Sequence, residues 1–199
     1  MDKGYFKYLM AFDFETSGLI QGGDHNNPVR NNKESYQIVS GGFVIADSET
    51  LKPIDELYVE IKWNGVSKWN KRAEQIHGLS LEYLEEHGMT EEEAVLAIGN
   101  FFFKYFGDRT LNLLGHNIAS FDIPFLRDLF GRFDIPLKIS HRVNDTNALG
   151  FIAFNSFTSD GLFDLLGMEK RDKHNALDDA KMSLEAARMV RLIFQQAIG

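Results

Sequence analysis

Four carboxylates and one histidine lie along the chain at positions where they could hold divalent cations. Asp13 and Glu15 are two residues apart in a hydrophobic segment, so a β-strand there points both side chains to the same face. Like charges on one face repel each other, and a cation between them removes the repulsion. Taken alone, such a pair is more often one carboxylate that caps a turn beside another that is solvated.

The other carboxylates lie near predicted helix starts. Asp122 precedes an apolar helical segment, where the helix dipole stabilises a carboxylate by about 0.3–1 kcal/mol. His174 lies five residues before Asp179 at the start of the long C-terminal helix, and Asp179 can face the sheet while Asp178 points elsewhere. Each of these features, taken alone, is better explained as a helix cap or a polar loop.

The interpretation depends on all of these signals together. Three Asp and one Glu form a set of oxygen donors, which hard cations such as Mg²⁺ or Mn²⁺ prefer. The chain has no cysteine, and only His174 is expected near the carboxylates, so Zn²⁺ fits the donor set less well. The pattern therefore predicts a site for divalent cations.

Hydrophobic segments and turn signals predict an α/β fold with a mixed sheet of five strands. Short connections make the first three strands antiparallel, and strands alternating with helices add the parallel part. The predicted strands are Tyr8–Phe14, Gln37–Ala46, Leu57–Lys62, Leu111–Gly115 and a weak one near His141–Asn144, with a turn over Thr16–Gly18 and a polar loop over Gly22–Ser35. The predicted helices are Ser67–Ile76, Ser80–His87 capped by Ser80 and followed by Gly88, one after a Thr90/Glu93 capping box, Phe121–Phe130, Thr146–Phe154, Ser159–Leu166 and Ala176–Ala197.

The composition suits one folded domain over residues 1–199, since 44% of the residues are hydrophobic. No apolar run approaches the roughly 20 residues of a membrane span, and the N-terminus has no signal-peptide cleavage site. We therefore expect a cytoplasmic protein, and the absence of cysteine agrees with a reducing compartment. The net charge of −8 argues against a protein that coats duplex DNA, but not against a small site that holds one strand end through bound cations.

Three motifs in this order resemble the DEDDh 3′→5′ exonucleases, the family that includes the proofreading epsilon subunit of bacterial DNA polymerase III. The segment from Asp13 to Leu19 resembles the first motif, D-x-E-T-x-G. His116-Asn117 through Phe121-Asp122 resembles the second, H-N-x3-F-D, and His174 through Asp179 resembles the third, H-x4-D. The Ile76-His77-Gly78-Leu79 segment is also similar to a turn of that family, so the resemblance runs from Tyr8 to Val190.

The resemblance implies an RNase H-like fold and removal of 5′-mononucleotides from single-stranded DNA ends. It implies two divalent cations, Mg²⁺ or Mn²⁺, and His174 as general base. The implied metal ligands are Asp13, Glu15, Asp122 and Asp179, and the implied substrate contacts are Thr16, Leu19, His77, Asn117 and Phe121. Core packing explains Leu19 and Phe121 equally well, and stabilisation of a turn explains His77 equally well.

Two other functions remain open at this point. The same motifs serve a 3′→5′ exoribonuclease that acts on short RNA or RNA tails, because discrimination depends on contacts to the 2′-hydroxyl. A non-catalytic nucleic-acid-binding module on the same scaffold is disfavoured, because all five positions of the site are filled. The chain ends with its C-terminal helix at Gly199, so we expect a free-standing nuclease with no tail for a polymerase partner, while the oligomeric state does not follow from the sequence.

Overall fold

The computed structural model describes residues 7–19, 35–169 and 174–198 of the chain. Its centre is a five-stranded sheet with the strand order β3-β2-β1-β4-β5. The strands are β1 (Tyr8–Thr16), β2 (Ile38–Asp47), β3 (Pro53–Glu60), β4 (Leu113–Gly115) and β5 (Asn144–Asp145). β1 pairs antiparallel with β2, and β2 with β3, whereas β4 is parallel to both β1 and β5. The predicted mixed sheet is confirmed.

Seven helices in the described ranges surround this sheet. They are α1 (Lys71–His77), α2 (Leu81–His87), α3 (Glu91–Phe106), α4 (Asp122–Gly131), α5 (Thr146–Phe154), α6 (Ser159–Leu165) and α7 (Ala176–Ile198). The predicted Ser80 cap of α2 and the capping box of Thr90 and Glu93 on α3 are both present. None of these described helices is long and apolar enough to cross a membrane.

The alternation of side chains along β1 separates the two layers of the core. Phe12 and Phe14 point into the larger hydrophobic cluster, which α3 and α4 cover. Leu9 and Ala11 point to the opposite face and pack against α7. Because strand side chains alternate with a period of two, Asp13 continues this second face beyond the apolar contacts. The sheet thereby presents its carboxylates on the face of α7.

Several boundaries differ from the prediction, and β3 spans Pro53–Glu60 where Leu57–Lys62 was predicted. β1 continues through Thr16, where a turn was predicted, because its pairing with β2 continues past a register shift after Glu15. α1 begins at Lys71 rather than at position 67, because the Asn64 side chain holds a turn by accepting from the backbone N–H of Ser67. β4 is shorter than predicted, beginning at residue 113. Of the predicted loop over residues 22–35, only residue 35 lies within the described residues.

Candidate active site

The third predicted motif folds over the end of β1 as the first turns of α7. The Asn175 side chain caps this helix, because its Oδ1 accepts from the N–H of Leu177 at 3.0 Å and from that of Asp178 at 3.2 Å. Asp179 is then one turn into the helix and 5% exposed, whereas Asp178 is exposed to solvent. The burial of the two adjacent aspartates agrees with the prediction that Asp179 can face the sheet while Asp178 points elsewhere.

Glu15, His174 and Asp179 converge at this end of the sheet. One ligand atom from each of the three residues lies within 4.8 Å of the others. The Nδ1 atom of His174 is 3.3 Å from Oδ2 of Asp179, and the histidine side chain is 39% exposed. Two carboxylates and an imidazole at this spacing could hold a divalent cation, to which the carboxylates would supply oxygen ligands.

Asp122 approaches the same strand from the other side of the site. It is 1% exposed, and its Oδ1 accepts a hydrogen bond from the backbone N–H of Phe14 at 3.0 Å. Burial raises the pKa of Asp122 well above its ordinary value, and the nearby charges of Glu15 and Asp145 raise it further. A cation bound beside this carboxyl would favour its ionised form, so the position fits a metal ligand.

A cavity of about 480 Å³ joins these residues to a second wall formed by α1. This volume lies within the range of small-molecule sites. Of the predicted site residues, it is lined by Asp13, Glu15, Thr16, Leu19, His77, Phe121, His174 and Asp179. Asp122 and Asn117 are not among its lining residues.

His77 is a neutral hydrogen-bond donor in the wall of this cavity. Its Nδ1 accepts from the backbone N–H of Leu79 at 3.0 Å, so the proton of the neutral ring is on Nε2. Burial lowers the pKa of His77 to about 4, and the charge of Glu74 opposes that shift only in part. Nε2 is buried and has no hydrogen-bond partner in the described residues, so it can donate to a bound molecule.

Asn117 shapes the turn before α4 instead of lining the cavity. Its φ is 60°, a left-handed conformation that asparagine tolerates better than most residues. Its backbone N–H donates to Oδ1 of Asp145 at 2.8 Å, and its own Oδ1 accepts from the hydroxyl of Ser120 at 2.7 Å. The turn leads into α4, whose first residue is Asp122, so Asn117 affects the site by positioning that helix.

The sequence interpretation assigned no role to the residues that fix His116, another lining residue of the cavity. The hydroxyl of Thr146 donates to the carbonyl of Gly115 at 3.1 Å, and its oxygen lies 3.0 Å from Nδ1 of His116. Since that hydroxyl proton is used, the Thr146 oxygen accepts from Nδ1–H of the ring. The nearby Asp145 caps α5 and also holds Asn117. The available sequence signal was Asp145 followed by Thr146 at the start of a predicted helix, since Asp commonly caps helices.

The α1 wall and the far wall of the cavity also contain residues that sequence patterns did not single out. They are Asn70, Arg72, Ala73, Ser159, Phe163 and Ser183. Asn70 is the helix cap of α1, a polar residue before a helical segment, and that signal was readable. The others come from helices whose relative placement depends on tertiary packing.

Comparison with known proteins agrees with this geometry. The sequence profile of the exonuclease family RNase_T matches residues 10–187. No curated protein sequence matches the chain. Exonuclease I has the same fold with a TM-score of 0.75 at 18% identity, covering 94% of this chain and 41% of its own.

Other solved structures share the fold at equally low identity. The zinc-bound complex of E. coli exonuclease I with single-stranded DNA gives a TM-score of 0.74 at 19% identity, over 94% of this chain and 41% of that chain. The nuclease domain of 3′hExo, a DEDDh family member bound to rAMP, gives a TM-score of 0.70 at 15% identity, over 96% of this chain and 94% of that chain. This chain therefore spans about two fifths of exonuclease I, but nearly all of the 3′hExo nuclease domain.

The fold is the RNase H-like fold of the DEDDh exonucleases, with its mixed sheet and flanking helices. The chain belongs to the exonuclease family whose model matches residues 10–187. This membership favours an enzyme over the non-catalytic module.

Proposed function

We propose that this nuclease removes 5′-mononucleotides one at a time from the 3′ end of single-stranded DNA. The observation that carries the proposal is the convergence of Glu15, His174 and Asp179 within 4.8 Å at one end of a nucleotide-sized cavity. Three separate sequence motifs contribute to this site, although more than a hundred residues separate the first from the third.

The carboxylates fit a role as cation ligands. Two divalent cations, Mg²⁺ or Mn²⁺, would be held by Asp13, Glu15, Asp122 and Asp179. Asp13 and Glu15 lie on the same face of β1. When bound, such cations activate water and neutralise the charge that develops on the phosphoryl group. The chain itself supplies a rigid frame, because Asp122 is fixed by the Phe14 amide.

His174 is the residue that we propose takes the proton from the attacking water. Its side chain is the most exposed member of the cluster, at 39%, so it can reach a molecule in the cavity. Its Nδ1 lies beside Asp179, which favours an imidazolium once the proton has been transferred. A histidine in this position can act as a base near neutral pH.

Other residues of the cavity lining suit the terminal nucleoside. Thr16 lies at the end of β1, where its backbone can meet a 3′-hydroxyl, and its own hydroxyl donates to the carbonyl of Gly18 at 3.0 Å. Leu19 is 60% exposed at the cavity, and Phe121 is half-buried, so both can cover a base. The Nε2–H of His77 offers a hydrogen bond to the same nucleotide.

RNA is the second candidate substrate. Similar folds occur in a structure of exonuclease I with single-stranded DNA and in the nuclease domain of 3′hExo bound to rAMP. The test is parallel degradation of end-labelled DNA and RNA oligonucleotides of identical sequence with Mg²⁺. We expect faster release of mononucleotides from DNA, and faster release from RNA would assign the enzyme to the ribonuclease alternative. The cytoplasmic location and the single-domain organisation stay predictions.

A further inference from the structure

The part of the cavity lining that α1 contributes carries a positive charge. Among the described residues that line the cavity, Arg72 is the one lysine or arginine. It lies four residues before Ile76, so both residues lie on the same side of α1. Ile76 is 46% exposed, and the apolar Leu19 borders the same space. Such a surface suits a nucleic-acid strand, because a cation can contact the phosphates while apolar side chains contact the bases.

The position of Arg72 is fixed relative to the first motif. Its backbone N–H donates to Oδ1 of Asn70 at 2.8 Å, which caps the helix. The N–H of Asn70 in turn donates to the carbonyl of Ser17 at 2.8 Å. Ser17 directly follows β1, and its hydroxyl donates to the carbonyl of Lys68 at 2.7 Å. The start of α1 is thereby attached to the loop beyond Glu15.

Arg72 forms no ion pair with the nearby Glu74. Glu74 accepts from the indole N–H of Trp69 at 2.6 Å and from Nζ of Lys71 at 3.0 Å. Arg72 makes no ion pair within the described residues, and its side chain is exposed. The chain has a net charge of −8, and this guanidinium has no carboxylate partner among the residues that the structure describes, so it can bind an anionic ligand.

We propose that Arg72 binds a backbone phosphate of the substrate strand upstream of the scissile bond. The scissile phosphate belongs beside the carboxylates and their cations, and α1 contributes none of these carboxylates to the cavity lining. An exposed guanidinium on α1 can meet a part of the strand that leads out to solvent, and its planar fork suits phosphate oxygens. Arg72 would therefore select polynucleotides over isolated nucleotide esters. This inference rests on the proposed function.

The test compares two substrates in steady-state kinetics. One is a single-stranded DNA oligonucleotide, and the other is the p-nitrophenyl ester of thymidine 5′-monophosphate, which has no upstream phosphate. The variant is Arg72→Gln, and Lys71→Gln is the matched control because it removes the same charge from the same helix turn. We expect Arg72→Gln to lower the ratio of kcat/KM for DNA to kcat/KM for the ester about tenfold, through KM. Lys71→Gln should keep the wild-type ratio.

The salt dependence gives an independent readout. Loss of one phosphate contact to a single strand should reduce the slope of log KM against log salt concentration by about 0.7 in Arg72→Gln. Equal ratios and slopes in the two variants would overturn the inference, and so would an equal loss on both substrates. Failure of the wild-type enzyme to hydrolyse either substrate would instead refute the proposed function, so the two failures are distinguishable.

Discussion

The first turn of α7 rests directly on the backbone of Gly42 in β2. A Cβ atom at Gly42 would lie 2.2 Å from both the Cα and the backbone nitrogen of Leu177, closer than atoms can approach. Gly42 is the β2 partner of Asp13, the first carboxylate of the site. The missing side chain therefore lets the helix that carries Asp179 lie against the strand pair that carries Asp13.

Gly42→Ala is predicted to separate these two aspartates. The helix backbone must move away from β2, and a displacement of about 1 Å at a reacting centre can reduce a rate by about 10²-fold. We expect that loss in nuclease activity, together with a higher Mn²⁺ concentration for half-maximal rate. Thermal unfolding of the variant, followed by circular dichroism, establishes that it is folded at the assay temperature.

Gly41→Ala is the matched control for this prediction. Its Cβ would point to the opposite face and meet the ring of Phe14 at 2.9 Å, where a side chain can adjust. We expect reduced stability with an unchanged Mn²⁺ requirement. Equal Mn²⁺ requirements in the two variants would show that the contact with Leu177 has no role in placing the site.

Asp179→Asn is predicted to leave the fold intact and to reduce the nuclease rate by on the order of 10³-fold. The change keeps the shape of the side chain but removes the charge that we assign to cation binding. Asp178→Asn, one residue earlier and exposed, should retain the wild-type rate. The measurement is the initial rate on a single-stranded oligonucleotide at several Mg²⁺ concentrations. A wild-type rate in Asp179→Asn refutes the assigned role.

His174→Ala is predicted to lower kcat by about 10²–10⁴-fold, the usual effect of losing a general base. Because His174 is also a member of the metal-binding cluster, the metal titration separates two roles. A base cannot be replaced by more metal, so the loss should persist at saturating Mn²⁺. Recovery of the rate at high Mn²⁺ would instead identify His174 as a metal ligand.

His77 is predicted to make the stability depend on pH below neutrality. Its pKa is about 4 in the folded protein and 6.5 without the surrounding structure, so between these values the unfolded chain binds more protons. The free energy of unfolding should therefore fall as the pH falls from 6.5 to 4, by at most about 3 kcal/mol. Above that range, His77 contributes no pH dependence.

Urea unfolding of His77→Asn at several pH values tests this prediction. Asparagine can still accept from the N–H of Leu79 through its Oδ1, but it does not titrate. The variant should show a flatter pH dependence than the wild type. Identical pH profiles for the wild type and His77→Asn would contradict the neutral, buried state.

Local rules predicted much of this fold because they act over a few residues. The capping box of Thr90 and Glu93, and the cap at Ser80, are recognisable from side-chain chemistry alone. The β1 segment was recognisable because buried strands have dense apolar sequence. The extension of β1 through Thr16 was missed, since it depends on pairing with β2 after a register shift.

The sequence indicated those residues of the candidate site that belong to short motifs. It did not indicate contacts that depend on the packing of distant elements. The spacing of His174 and Asp179 indicated that Asp179 can face the sheet while His174 stays on the loop before the helix, and Asp179 is buried near the start of α7. The close contact between Gly42 and Leu177 has no signal in the sequence, because it joins elements far apart in the chain. Arg72 was missed for the same reason, since only the fold brings α1 to the same cavity as the carboxylates.

The central claim is that the cluster of Glu15, His174 and Asp179 serves metal-dependent hydrolysis from a 3′ end. The most direct measurement follows a single-stranded DNA labelled at its 5′ end during incubation with Mg²⁺. The account predicts a ladder that shortens by single nucleotides, release of deoxynucleoside 5′-monophosphates, and complete arrest by EDTA. Internal fragments without intermediate lengths, or degradation that continues in EDTA, would contradict it.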